Sequence, residues 1–301
     1  MNKIEIRDIT KDYGHNRGIF DLTFSVKEGE IYGFLGPNGA GKTTTIRHLL
    51  GFSKPDKGES FIDGLNCWLE PSSIQKKIGY IPGEMALPDN LSGAKFIQMI
   101  AELRGLKDMT FANELIERFD LDVKANLKRM SKGTKQKIGI VVAFMHDPDI
   151  LLLDEPSSGL DPLMQAEFIK LVSEQKQRGK TILLSSHMFD EVEKTCDRVS
   201  IIKQGRIVTT INVKDIEHRN KKTFEIKFKN ISDLKHFKKS KFTLLEYNEE
   251  KSRVKVEVLD EDINELLSLI SHFDIVYISE IKYTLEDYFM NFYKGDTNND
   301  L

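Results

Sequence analysis

Eight consecutive residues, Gly36-Pro37-Asn38-Gly39-Ala40-Gly41-Lys42-Thr43, follow the spacing G-x-x-x-x-G-K-[ST]. Glycines let successive backbone amides turn inward around phosphate oxygens, because they tolerate backbone angles closed to other residues. A helix opening at Lys42, Thr43 and Thr44 adds unpaired amides and a dipole that favours negative charge. A lysine at the seventh position reaches the β- and γ-phosphates of a nucleotide, and the hydroxyl after it completes a Mg²⁺ shell. A bare glycine turn beside a surface lysine would show the same letters. It would not account for the apolar run Ile31 to Leu35 before the loop or the helical spacing through Ile46 and Leu49 after it.

Two further strand ends carry polar chemistry. Ile150-Leu151-Leu152-Leu153-Asp154-Glu155 ends an apolar run in two acids. In nucleotide-binding folds, ligands gather at the carboxyl ends of parallel strands. Asp154 then suits a metal ion, directly or through water, and Glu155 suits polarising an attacking water. Read alone, the pair is equally an ordinary solvated strand end. Thr181-Ile182-Leu183-Leu184-Ser185-Ser186-His187 repeats the pattern with a histidine. Taken singly, His187 reads as a surface or capping histidine, whereas its position after the next strand directs it at a γ-phosphate or a catalytic water.

The elements that must position these groups are an α/β assembly. Short strands and helical segments alternate from Ile4 to Val208, which implies a parallel sheet covered on both faces. A helix-rich stretch at about 88–147 interrupts the alternation as a subdomain. Residues 1–211 form the first expected domain, and the polar stretch 212–222 reads as a linker. Residues 223–301 form an accessory α+β domain and tail, with a β-α-β-β-α-β order that suggests a ferredoxin-like arrangement.

The 301 residues suit two domains better than one, and 40% hydrophobic with 30% charged residues is ordinary for a globular chain. The formal charge of -3 supplies no global basic field, so no nucleic-acid partner is expected. Cys67 and Cys196 are too few for a disulfide scaffold and too separated for a zinc cluster. They read as reduced thiols of a cytosolic protein. The N-terminus lacks a signal-peptide h-region, and no apolar run is long enough to span a bilayer as a helix. A membrane role must come through a partner.

Taken together, the motifs resemble the ATPase subunit of an ATP-binding cassette (ABC) transporter. Gly36 to Thr43 matches that family's Walker A motif, and Leu151 to Glu155 its Walker B motif and following glutamate. Ser158-Gly159-Leu160-Asp161 matches the D-loop, His187 the switch histidine, and Tyr13 the aromatic that stacks on adenine. Met130-Ser131-Lys132-Gly133-Thr134-Lys135-Gln136 occupies the place of the signature usually written LSGGQ; Ser131 and Gly133 are kept, while Lys132 and Thr134 depart from it. Without the other motifs this segment reads as a helix capped by Ser131.

The resemblance implies a Mg²⁺-dependent ATPase in which two subunits sandwich two ATP molecules. Ser131, Gly133 and Asp161 of one chain then serve the nucleotide held by the other. It implies a homodimer or a closely related heterodimer beneath separately encoded transmembrane permease subunits, at the cytoplasmic face of the cell membrane. The C-terminal region resembles that of drug- and antibiotic-export ATPases, so an exporter is expected. The alternatives are a non-transport ABC ATPase and a nucleotide-sensing module with little turnover. After Ile81-Pro82 the family normally places a glutamine that touches Mg²⁺ and water; this chain has Gly83 and then Glu84. Glu84 is the expected substitute on the metal, with a solvent-facing carboxylate as its alternative. The helical insertion around Leu91 to Arg118 would carry the permease-docking surface, although Phe96, Ile97 and Ile100 read equally as core.

Overall fold

A computed structural model of the chain describes residues 1–217 and 220–295. The chain divides into two units, Met1–Asn212 and Val213–Leu301. Residues 218–219 of the expected linker and 296–301 of the expected tail lie outside the described residues.

In the first unit, a six-stranded sheet runs in the order Arg206–Asn212, Arg198–Lys203, Ile31–Leu35, Thr181–Ser186, Ile150–Asp154, Ile78–Ile81. All neighbours are parallel except the first pair, a hairpin turned at Gln204-Gly205. The three central strands are buried along their whole length. Strands covered on both faces need continuous apolar runs rather than alternation, which is what Leu151, Leu152 and Leu153 supply. Each such side chain contributes about 1.5–3 kcal/mol on burial.

A second, antiparallel sheet runs Gly18–Lys27, Asn2–Asp12, Lys57–Ile62, Leu65–Asn66. Here only one face is apolar: Leu22, Phe24 and Val26 point inward at two-residue spacing. They join one core with Ile4, Ile6, Tyr32, Phe34, Ile46 and Leu49. The phosphate-loop helix Lys42–Leu49 is thereby packed into that core through Thr45, Ile46, His48 and Leu49. Phe24 and Tyr32 stack across the two sheets at 5.2 Å between ring centroids.

The helix-rich stretch contains helices Gly93–Leu103, Thr110–Arg118 and Lys132–Phe144. Ser92 caps the first through Lys95 N, and Ser131 caps the third through Thr134 N. Ile97 is buried, whereas Phe96 and Ile100 are half-buried.

The second unit holds a four-stranded antiparallel sheet, ordered Thr243–Asn248, Arg253–Leu259, Lys221–Phe228, Ile275–Ile281. Helices Ile231–Phe237 and Ile263–Ile270 complete the β-α-β-β-α-β order. Ile226, Phe228, Leu234, Phe237, Val256 and Leu266 make its own core. The stretch 212–222, expected as a linker, contains the division between the two units and carries regular structure on both sides of residues 218–219. Asn212 ends a strand, Val213–Glu217 is helical, and Lys221 begins the next strand. Val213 and Ile216, three residues apart, share a helical face, and both are at most 5% exposed, so the polar composition hides a buried stripe.

Candidate functional site

Strand register brings the sequence motifs to one level. Leu35 pairs with Ser186 and Asp154 with Ser185, so the residues that follow, Gly36, His187 and Glu155, leave adjacent parallel strands together. Gly36 N donates to Ser186 O at 3.3 Å, and Glu155 N to Ser185 O at 3.0 Å. These bonds carry the alignment one residue beyond the sheet.

The phosphate loop wraps tightly. A Cβ on Gly36 would lie 2.4 Å from Ile202 O, and Gly41 holds φ at +111°, so neither position accepts a larger residue. Ala40 N donates to Pro37 O at 3.2 Å, and Ala40 O receives Gly205 N at 2.9 Å, which ties the loop to the hairpin behind it. Helix Lys42–Leu49 begins after Gly41 with no side-chain cap, so its first amides have no side-chain acceptor.

Lys42 is 5% exposed, and its Nζ donates to Gly36 O at 2.6 Å and to Pro37 O at 3.2 Å. The same ammonium lies 3.0 Å from Glu155 Oε1, an ion pair without hydrogen-bond alignment. The second oxygen, Glu155 Oε2, lies 2.5 Å from His187 Nδ1. Glu155 itself takes a left-handed φ of 49°. That conformation is uncommon for a glutamate, and such strain gathers at functional sites.

Asp154 is fully buried. Its Oδ2 accepts from Thr43 Oγ1 at 2.7 Å and its Oδ1 from Ser185 Oγ at 2.5 Å. A hydroxyl and a carboxylate meeting at a phosphate loop form an oxygen-only donor set, the chemistry that a hard divalent cation requires. Thr43 and Asp154 therefore fit Mg²⁺.

A cleft of about 500 Å³ opens in front of these groups. Asn38, Gly39, Lys42, Thr43, Thr44 and Glu155 line its floor, and Tyr13 stands at its rim, 55% exposed. Asn16, Arg17 and Gln204 also line it, and sequence reasoning singled out none of them. Tyr13 N donates to Arg17 O at 2.8 Å, closing a tight loop, and Lys11 Nζ stands 5.9 Å from the Tyr13 ring centroid. The signal available for Gln204 was its place before Gly205 in the hairpin turn, where it holds φ at 49°.

Ser131, Gly133 and Asp161 do not line this cleft. Ser131 Oγ accepts from Thr134 N at 3.1 Å, and Asp161 caps helix Pro162–Gln177 through Leu163 N and Met164 N. Gly133 approaches the D-loop so closely that a Cβ there would lie 2.4 Å from Gly159 O. Lys132, the departure from the usual signature, donates from Nζ to Ser158 Oγ at 2.9 Å. Gln136, 1% exposed, donates from Nε2 to Pro156 O at 2.9 Å and to Glu155 O at 3.3 Å.

Glu84, expected to take part on the metal, does not line the cleft with Lys42, Thr43 and Glu155. Gly83 abuts the Asp154 carboxylate: a Cβ there would lie 3.1 Å from Asp154 Oδ2. Glu84, one residue on, is exposed and lines a different hollow with Met85, Met130, Lys132 and Lys135.

Comparison with known proteins follows the same lines. Residues 19–158 match the family described as ABC transporter. The bacitracin transport ATP-binding protein of Bacillus licheniformis is 34% identical over 300 residues, covering 98% of each chain. A probable multidrug ABC transporter ATP-binding protein of Escherichia coli is 32% identical over 219 residues, 71% of this chain and 38% of its own length. Among solved structures, an ATP-binding subunit of an ABC transporter aligns with a TM-score of 0.65 at 33% identity, over 71% of this chain and 91% of that one. A dimeric bacterial ABC transporter cassette shares the fold, with a TM-score of 0.63 at 23% identity over 70% and 98%.

Proposed function

The chain belongs to the ABC transporter family as an ATP-binding subunit that hydrolyses ATP to power membrane transport, and on that premise we propose that two such cassettes close around two nucleotides to drive an exporter. No helix among the described residues is long and apolar enough to cross a membrane. We assign the transport path to separately encoded transmembrane permease subunits, with the cassette peripheral at their cytoplasmic face. The near full-length similarity to a bacitracin transport subunit supports export of an antibiotic or similar drug. The pair is a homodimer or a closely related heterodimer.

The observation that carries this reading is the position of Glu155, in contact with Lys42 on one side and His187 on the other. As a nucleotide enters, its γ-phosphate competes for Lys42 and releases Glu155 toward the attacking water. Lys42 then stabilises charge on the transferring phosphoryl group, which needs electrostatic help and alignment more than covalent chemistry. Glu155 accepts the water's proton, and His187 fixes the carboxylate's orientation from Nδ1. Thr43 and Asp154 would hold Mg²⁺, which neutralises charge across the β- and γ-phosphates when bound. Tyr13 stacks on the adenine, and the amides of residues 36–44 cradle the phosphates. Ser131, Gly133 and Asp161 serve the partner's nucleotide, which is consistent with their lying outside the cleft of their own chain.

Loss of the γ-phosphate reopens the pair, and the difference in nucleotide affinity between the open and closed states does the mechanical work. Steady-state Mg-ATP hydrolysis by the parent and by Glu155→Gln tests the reading. Clear turnover in the parent is expected, with a fall of about 10²–10⁴-fold in the variant, the usual worth of a general base. An ATP-stabilised dimer of the variant on size exclusion completes the expected result. Equal turnover in both proteins would overturn it.

A further inference from the structure

One buried carboxyl beside the hydrolytic groups has no role among those described above. Glu191 lies on the short helix Phe189–Thr195 and is 2% exposed. Its Oε2 accepts a 2.5 Å hydrogen bond from Ser186 Oγ, and that hydroxyl in turn accepts from Met188 N at 3.0 Å. His187 is the residue between Ser186 and Met188, so the carboxyl clamps the turn that presents the imidazole.

Ser157, two residues beyond Glu155 and 3% exposed, approaches from the other strand end. Its Oγ lies 3.8 Å from Met188 Sδ, against the same turn. Glu191 Oε1 has no aligned partner among the described residues. Burying a carboxyl with an unsatisfied oxygen is costly, whereas a leucine would fill a similar volume without that cost. A hollow of about 190 Å³ lined by Ser157, Gln165, Ile169 and Met188 adjoins the carboxyl. If the clamp were removed, the turn would have room to relax into that space.

We propose that Glu191 is a positioning residue for hydrolysis, holding the turn that carries His187 through the hydroxyl of Ser186. The inference rests on the reading of Glu155 and His187 as the hydrolytic pair. It assigns the 2.5 Å contact between them to a brace behind the site rather than to the two side chains alone. Burial pushes the Glu191 carboxyl above its ordinary range, opposed by the Ser186 and Ser157 hydroxyls. A carboxamide of the same shape keeps an oxygen that can accept from Ser186 Oγ, which a leucine cannot.

The test compares Glu191→Gln and Glu191→Leu in the full chain, by steady-state Mg-ATP hydrolysis and by fluorescent-nucleotide binding. Glu191→Gln should stay within about threefold of the parent. Glu191→Leu should lose about tenfold or more in kcat, while KM and nucleotide affinity stay within about twofold, the signature of an interaction needed only beyond the ground state. If Glu191→Leu does not fold, the Ser186→Ala variant carries the test with the same expected loss confined to kcat. Parental kcat in a folded Glu191→Leu or serine variant would overturn the proposal, as would KM changing as much as kcat, or Gln damaging as much as Leu. Glu155→Gln measured alongside separates the two failures: if it leaves turnover intact, the hydrolytic pair itself is misassigned and the brace falls with it. If it abolishes turnover while Glu191→Leu does not, only the brace is lost.

Discussion

Lys42 Nζ and Glu155 Oε1 stand 3.0 Å apart, so the cation proposed to bind phosphate and the carboxylate proposed to activate water form an ion pair. The ammonium is 5% exposed and also held by two carbonyls, so it is already desolvated and aimed. On the proposed mechanism, a terminal phosphate arriving at the loop exchanges one anionic partner of Lys42 for another, and that exchange frees Glu155.

Replacing Lys42 with alanine removes the cation and leaves Glu155 with only His187. Nucleotide affinity should fall about tenfold or more, equivalent to at least about 1.4 kcal/mol, and turnover should become undetectable. Titration of a fluorescent ATP analogue checks the first, and phosphate release the second. Unchanged affinity would remove the phosphate loop from the binding site.

Tyr13 should contribute through its ring face rather than its hydroxyl. Tyr13→Ala is expected to weaken ATP binding by about 1–3 kcal/mol, the usual worth of a base stacked on an aromatic side chain. Tyr13→Phe should bind like the parent, since the hydroxyl makes only a marginal 3.5 Å contact with Ser53 Oγ. GTP binding should fall in parallel, because every base presents a π-face. Equilibrium titrations with both nucleotides decide the point.

Gly133 should resist even the smallest substitution. A Cβ there meets a backbone oxygen, Gly159 O at 2.4 Å, which cannot swing aside as a side chain would. Gly133→Ala should lower stability by about 1–3 kcal/mol, as overpacking in a filled site does, and shift Tm down by several degrees. A parental Tm by calorimetry would show that the D-loop yields freely.

Acid stability should depend on His146. Burial, helped by the charge of Arg104, pushes its pKa down to about 4 against 6.5 for the free side chain. The unfolded chain therefore takes up a proton at a higher pH than the folded one. This contribution is fully present above pH 6.5, is lost as the pH falls toward 4, and changes no further below that. The 2.5-unit difference corresponds to at most about 3 kcal/mol. Denaturant titrations at pH 7 and pH 5 should show the decline, and His146→Gln, which cannot titrate, should flatten it.

The groups legible in the sequence are those whose meaning is local. The phosphate loop, Asp154 with Glu155, and His187 each follow an apolar run, so strand-end chemistry could be read from neighbouring letters. The same holds for the alternation of Phe224, Ile226 and Phe228 in the second unit. What escaped is set by distant pairing. The strand Asn2–Asp12 joins Lys57–Ile62 across the whole phosphate helix, and no local pattern announces that sheet. Ser185, Gln136 and Glu191 are polar residues whose partners arrive from other elements, so spacing assigns them nothing. The helix Val213–Glu217 spans five residues, too short for a period to emerge. Which hollow Glu84 lines is likewise set by tertiary placement after Gly83, which spacing does not announce.

The two bonds from Gln136 to the carbonyls of Glu155 and Pro156 have a consequence for the paired enzyme. On the proposed pairing, the helix that serves a neighbour's nucleotide is hydrogen-bonded to the residue proposed to activate water at its own. A change of occupancy on one side is then expected to reach the reaction on the other, and a pair built from one competent and one crippled chain should run at less than half speed.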